Sequence, residues 1–73
     1  MYFNTEKFQN RLRTLISEKG ITQKKLAEDL GFNKTIVNGW LKRDVIPHYF
    51  SLECLADYFK VSVNYLTGKE DEK

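Results

Sequence analysis

Apolar residues in this chain recur at helical spacing and nowhere show the strict alternation of a half-buried strand, which points to an all-α fold. Phe8, Leu12, Leu15 and Ile16 stand at i, i+4, i+7 and i+8. Asn4 or Thr5 can cap that segment, Glu6 suits its first turn and Lys19-Gly20 its end. Leu26, Ala27 and Leu30 form a second segment between Thr22, a good N-cap, and Gly31. A third carries Val37, Trp40 and Leu41 after Asn33. A fourth carries Leu52, Leu55, Ala56 and Phe59, with Tyr49 expected to join them. A short fifth helix fits after Ser62, with Val63 and Leu66 inward and Gly68 closing it. Helices this short do not stand alone in water, so all five must share one core.

Seventy-three residues make one small domain, with no room for a deep catalytic cavity. No apolar run approaches membrane-spanning length, and Met1–Asn4 lack the charged-then-apolar order of a signal peptide. Cys54 is the only cysteine and cannot form an internal disulfide, so a reducing, cytoplasmic setting is expected. One cysteine and one histidine, His48, make a structural zinc site implausible. Neither has a partner at a spacing that would activate it, and there is no glycine-rich phosphate loop or paired carboxylate site. An enzyme is rejected, and no cofactor is expected. Residues 1–68 are read as the domain and 69–73 as a charged, disordered tail.

The net charge of +2 conceals a division. Residues 1–43 hold nine Lys/Arg against four Asp/Glu, and residues 44–73 hold three against six. A basic front half suggests one side that faces a polyanion, although ordinary surface charge gives the same tally.

Gln23 to Lys42 is the informative stretch. Counted from Gln23, apolar residues fall at places four, eight, ten, fifteen and eighteen, with Ala27 fifth and Gly31 ninth. Two helices that cross through a tight turn need a small residue where they touch, which Ala27 supplies. They need a backbone free to take positive φ at the turn, which Gly31 supplies. With Thr22-Gln23, Leu30-Gly31, Trp40, Pro47, Leu55-Ala56 and Val61-Ser62, this spacing resembles the phage-repressor-like (Xre, or Cro/repressor) helix-turn-helix family over residues 5–67. The resemblance implies a compact five-helix repressor-like DNA-binding domain with the third helix as recognition helix.

On that resemblance Lys34, Thr35, Asn38 and Gly39 fall where family members touch bases. Lys34 could donate to guanine O6 and N7, Asn38 could bond adenine bidentately, and the Thr35 methyl could meet a thymine methyl. Gln23 occupies the family's backbone-clamping place, and Asn33, Lys42 and Arg43 are further phosphate candidates. For Asn33 a purely capping role is equally open.

Three departures stand out. Gly39 lies inside the recognition helix at a cost of roughly 1 kcal/mol relative to alanine. Either the backbone there approaches the DNA or the position reads nothing. Arg43 stands where the family commonly ends the helix with glycine. It is either left-handed, with strain of roughly 1 kcal/mol, or part of a different helix ending. Ile16 and Leu41 replace an arginine and a glutamate that often pair in the family. A joint apolar replacement is consistent with the same fold if the two positions meet.

The fourth helix carries Phe50, Cys54 and Tyr58 at i+4 spacing away from its expected core side, and Tyr65 follows on the fifth. This stripe packs on the N-terminal arm or the first helix, forms a dimer interface, or is merely scattered exposure. The expected function is sequence-specific binding of double-stranded DNA as a homodimer, by a bacterial or phage-type regulator that represses through steric occlusion. The reading from a different class is an antitoxin-like module that binds a protein partner.

Overall fold

The computed structural model describes residues 1–73 and contains five α-helices: α1 Thr5–Lys19, α2 Gln23–Leu30, α3 Lys34–Lys42, α4 Tyr49–Phe59 and α5 Val63–Thr67. It measures 27 × 22 × 19 Å. α1 packs on α3 and α5, α2 on α3, and α4 on α5. The helices begin where short polar side chains can cap them. Asn4 accepts from Lys7 N, Thr22 from Lys25 N, Asn33 from Thr35 N and Ser62 from Tyr65 N. Each bond satisfies a first-turn N–H that has no partner inside its own helix.

Phe8 and Leu12 of α1, Leu26 of α2, Val37 of α3, Leu52 and Leu55 of α4 and Leu66 of α5 are wholly buried, with Trp40 nearly so. Every helix therefore places its apolar stripe in one core. Removing those side chains from water is the main force holding together elements too short to persist alone. Phe32 meets Trp40 edge-on at a centroid distance of 5.4 Å, closing the α2–α3 turn over the core. Ile16 and Leu41 are both buried and border one shallow cleft, so the apolar replacement joins α1 to α3.

One expectation needs correction. Tyr49 is 55% exposed and does not join the core, because the first turn of α4 sits at its rim beside exposed His48 and Phe50. Of the two endings open for α3, the structure shows the different one: Arg43 is not left-handed (φ −120°). The positive φ falls one residue later, at Asp44 (φ 58°), a residue type that tolerates this region. Gln9 of α1 secures that ending by donating from Nε2 to Trp40 O at 3.1 Å and to Asp44 Oδ1 at 2.9 Å. The charged tail folds back on the body. Arg11 donates to Glu70 O at 2.7 Å and to Asp71 Oδ1 at 2.6 Å, and Ser62 N donates to Lys73 O at 2.9 Å.

Candidate nucleic-acid interface

The turn between α2 and α3 follows from three residues. Gly31 takes φ +74°, Phe32 N donates to Ala27 O at 2.9 Å, and the Asn33 carboxamide oxygen accepts from Thr35 N at 2.7 Å. Ala27 is buried where the helices meet, and Val37, Trp40 and Leu41 turn α3 inward. The remaining face of α3 is thereby presented to solvent.

Between that face and the start of α2 runs a cleft lined by Thr22, Gln23, Lys24, Lys34, Thr35, Asn38 and Arg43. Its walls hold three cations, no carboxylate and no apolar residue. Lys34 and Thr35 are exposed and Asn38 is half-buried. Gln23 Nε2 is buried and has no acceptor within the chain. An unmet buried donor is costly unless a partner supplies an acceptor, and Gln23 lines this cleft. The surface suits an anion with polar edges.

Of the expected site residues, Gln23, Lys34, Thr35, Asn38 and Arg43 come together here. Asn33 lies at the turn, its side-chain oxygen engaged in capping. Lys42 borders the neighbouring shallow cleft, with Arg13, Ile16, Ser17, Ile21, Gln23 and Leu41. Gly39 is buried, with Arg43 and Val45 over its Cα, so its backbone is not open to a base edge. Arg13 was missed from sequence. It donates to Leu41 O at 2.5 Å and adds a cation beside Lys42. Its one sequence signal is a position three residues before Ile16 on α1, the helix that packs on α3. Lys24 also forms part of the cleft wall.

The four dimer candidates do not form one free stripe. Tyr58 donates to Asp29 Oδ2 at 2.6 Å, packs edge-on against Phe59 and carries Lys19 over its ring at 4.9 Å. Tyr65 lies under the Arg11 guanidinium at 4.2 Å, and Cys54 is half-buried. Phe50 alone of the four is open, at 68% exposure.

No three His, Cys, Asp or Glu side chains cluster to hold a metal ion, and no helix is long and apolar enough to cross a membrane. Two short helices joined through a left-handed glycine, the second with its inner face in the core and its outer face polar and cationic, define a helix-turn-helix DNA-binding domain. The chain belongs to the bacteriophage CI repressor helix-turn-helix domain family, whose family model matches residues 10–73. That is a family of DNA-binding transcription regulators. The HTH-type transcriptional activator BcrR of Enterococcus faecalis is 31% identical over 64 residues, which are 88% of this chain and 31% of that protein. The chain thus spans less than a third of that relative's length. No solved structure matches.

Proposed function

We propose that this chain reads double-stranded DNA by laying the outer face of α3 in the major groove, and that it represses transcription by occupying an operator as a two-fold dimer. The observation that carries this reading is the cleft between α2 and α3, cationic and free of carboxylates and lined in part by Gln23, whose amide is unsatisfied. A B-DNA major groove admits one α-helix, and the N-terminal residues of such a helix face base edges. Lys34, Thr35 and Asn38 take that role. Gln23 and Lys42 hold phosphates on either side of the helix, with Arg13 beside Lys42 and the free amide of Asn33 as a lesser contact.

One recognition helix reads too few base pairs to stand out in a genome, so pairing of half-sites supplies the missing specificity. The side chains open to such pairing are Ile36, Val45 and Ile46, which border one cleft, and the exposed Tyr49 and Phe50 at the start of α4. The sign of regulation rests on occlusion, which needs no second surface. The relative's name as an activator makes a promoter–reporter assay the discriminating measurement.

Selection of bound sequences from random duplex DNA at fixed salt tests the whole reading. A palindromic consensus is expected. Recovery of unselected sequence at every position would reject sequence-specific binding.

A further inference from the structure

Gly39 and Arg43 explain each other. Thr35, Gly39 and Arg43 stand at i, i+4 and i+8, along one line of α3. Arg43 is exposed, but its side chain does not run straight out from the helix end. It folds back along that line until Nη2 donates to Thr35 O at 3.3 Å. A Cβ built on Gly39 would stand 3.0 Å from that same Nη2 and 3.2 Å from Val45 Cγ2. The helical backbone at Gly39 needs no positive φ, so conformational freedom is not the reason for glycine there. The missing side chain is what makes room for the guanidinium, which then occupies the middle of the outer face of α3 in the cleft with Asn38 and Lys34.

A guanidinium held in this way differs from a mobile cation at a helix end. Contact with the accepting carbonyl uses one N–H, and the planar fork leaves other donors available in a set orientation. A phosphate needs only charge and reach. A fixed fork on the groove-facing strip matches the paired acceptors O6 and N7 of guanine. We propose that Arg43 is a base-reading residue that recognises guanine in the major groove, with its guanidinium seated on Gly39. Gly39 is a positioning residue that touches no base. The proposal rests on the DNA-reading role of α3 given above and names a specificity determinant within it.

The test is the same selection from random duplex DNA, run on the wild type, Arg43→Ala, Gly39→Ala and the double variant, with melting followed by circular dichroism. Alanine favours helix over glycine, so Gly39→Ala is expected to keep the fold. Its charge is unchanged, which separates loss of the seat from loss of a cation. The wild type should select a guanine in each half-site. Arg43→Ala should lower that preference about tenfold or more, with the other selected positions retained. Gly39→Ala should lose the same guanine preference, and the double variant should lose no more than either single one. Equal weakening of all sequences by Arg43→Ala, with the salt slope reduced by about one, would make Arg43 a phosphate contact and overturn the proposal. Retention of the guanine by Gly39→Ala would overturn the seating role. A wild type without any consensus would fail at the earlier step and remove the functional reading and this inference together.

Discussion

The Tyr58 hydroxyl donates a 2.6 Å hydrogen bond to the Asp29 carboxylate, tying α4 to the last turn of α2 and so bracing the helix-turn-helix from behind. Lys25 adds an ion pair to Asp29 at 3.1 Å. The hydrogen bond from Tyr58, and after it the contact with Lys25, hold the Asp29 carboxyl below its ordinary range. The same bond holds the Tyr58 phenol above its own. A depressed carboxyl adds stability above its unfolded pKa, and that stability is lost as pH falls through the folded value. A raised phenol adds stability below its unfolded pKa, and that is lost as pH rises through the folded value. Tyr58→Phe should therefore flatten both the acid and the alkaline limbs of the melting temperature against pH, with some acid dependence left by Lys25. Curves that run parallel to the wild type at both ends would show that the bond contributes nothing.

Arg11 should be the most sensitive polar residue of the fold. It donates to Tyr65 O and Glu70 O, pairs with Asp71 and stacks on the Tyr65 ring. Its side chain is 15% exposed, so these are partly desolvated, charge-assisted contacts. Arg11→Ala should cost about 2–3 kcal/mol in denaturant unfolding and raise hydrogen exchange in α5 and residues 69–73. A loss below about 0.5 kcal/mol would place those contacts among the near-neutral surface pairs.

Lys34→Ala and Asn38→Ala should each cost about 1–3 kcal/mol on the selected operator and much less on random duplex. Gln23→Ala should weaken both DNAs alike, as a phosphate contact does. Fluorescence anisotropy with the two duplexes at one salt concentration distinguishes the patterns. Equal losses on both DNAs for Lys34 and Asn38 would move them to the backbone.

Phe50→Glu should shift the protein toward monomer in sedimentation and weaken full-site binding more than half-site binding. A charge on each side of a two-fold apolar contact must be desolvated twice. Phe50 is exposed, so the fold should tolerate the change, and the melting temperature reports on it directly. A monomeric wild type on operator DNA would end the dimer proposal.

Lys60→Gly should stabilise the chain by about 0.5–1 kcal/mol. Lys60 ends α4 at φ 59°, a conformation that costs an L-residue about 1–2 kcal/mol and glycine almost nothing, offset in part by the greater freedom of glycine when unfolded. Asp44→Gly, at the chain's other positive-φ non-glycine, should not gain in the same way, because it also loses the bond from Gln9. Thermal unfolding of the two variants side by side checks the contrast, and a destabilised Lys60→Gly would refute it.

Much of this arrangement was legible in local sequence because it depends on local rules. The caps Thr22, Asn33 and Ser62 and the turn glycine Gly31 act within a few residues, and the inward spacing of Phe8, Leu12, Leu26, Val37 and Trp40 requires only the period of a helix. Side chains at the ends of helices were less legible. Tyr49 satisfies the spacing of its neighbours, yet burial there depends on whether another helix covers the first turn of α4. Tyr58 and Tyr65 looked unpartnered because their partners, Asp29 and Arg11, lie far along the chain.

The sequence by itself determined five helices, one shared core and a helix-turn-helix with a polar outer face, since hydrophobic period and capping chemistry are properties of short stretches. Only the tertiary structure decided what Gly39 is for and where the left-handed residue after α3 falls. It also decided which aromatic surface is left open and that the charged tail returns to α1. Each of these depends on atoms that approach across a turn or from another helix. The seat of Arg43 on Gly39 is a matter of a few tenths of an ångström, a closeness that residue types and spacing cannot specify.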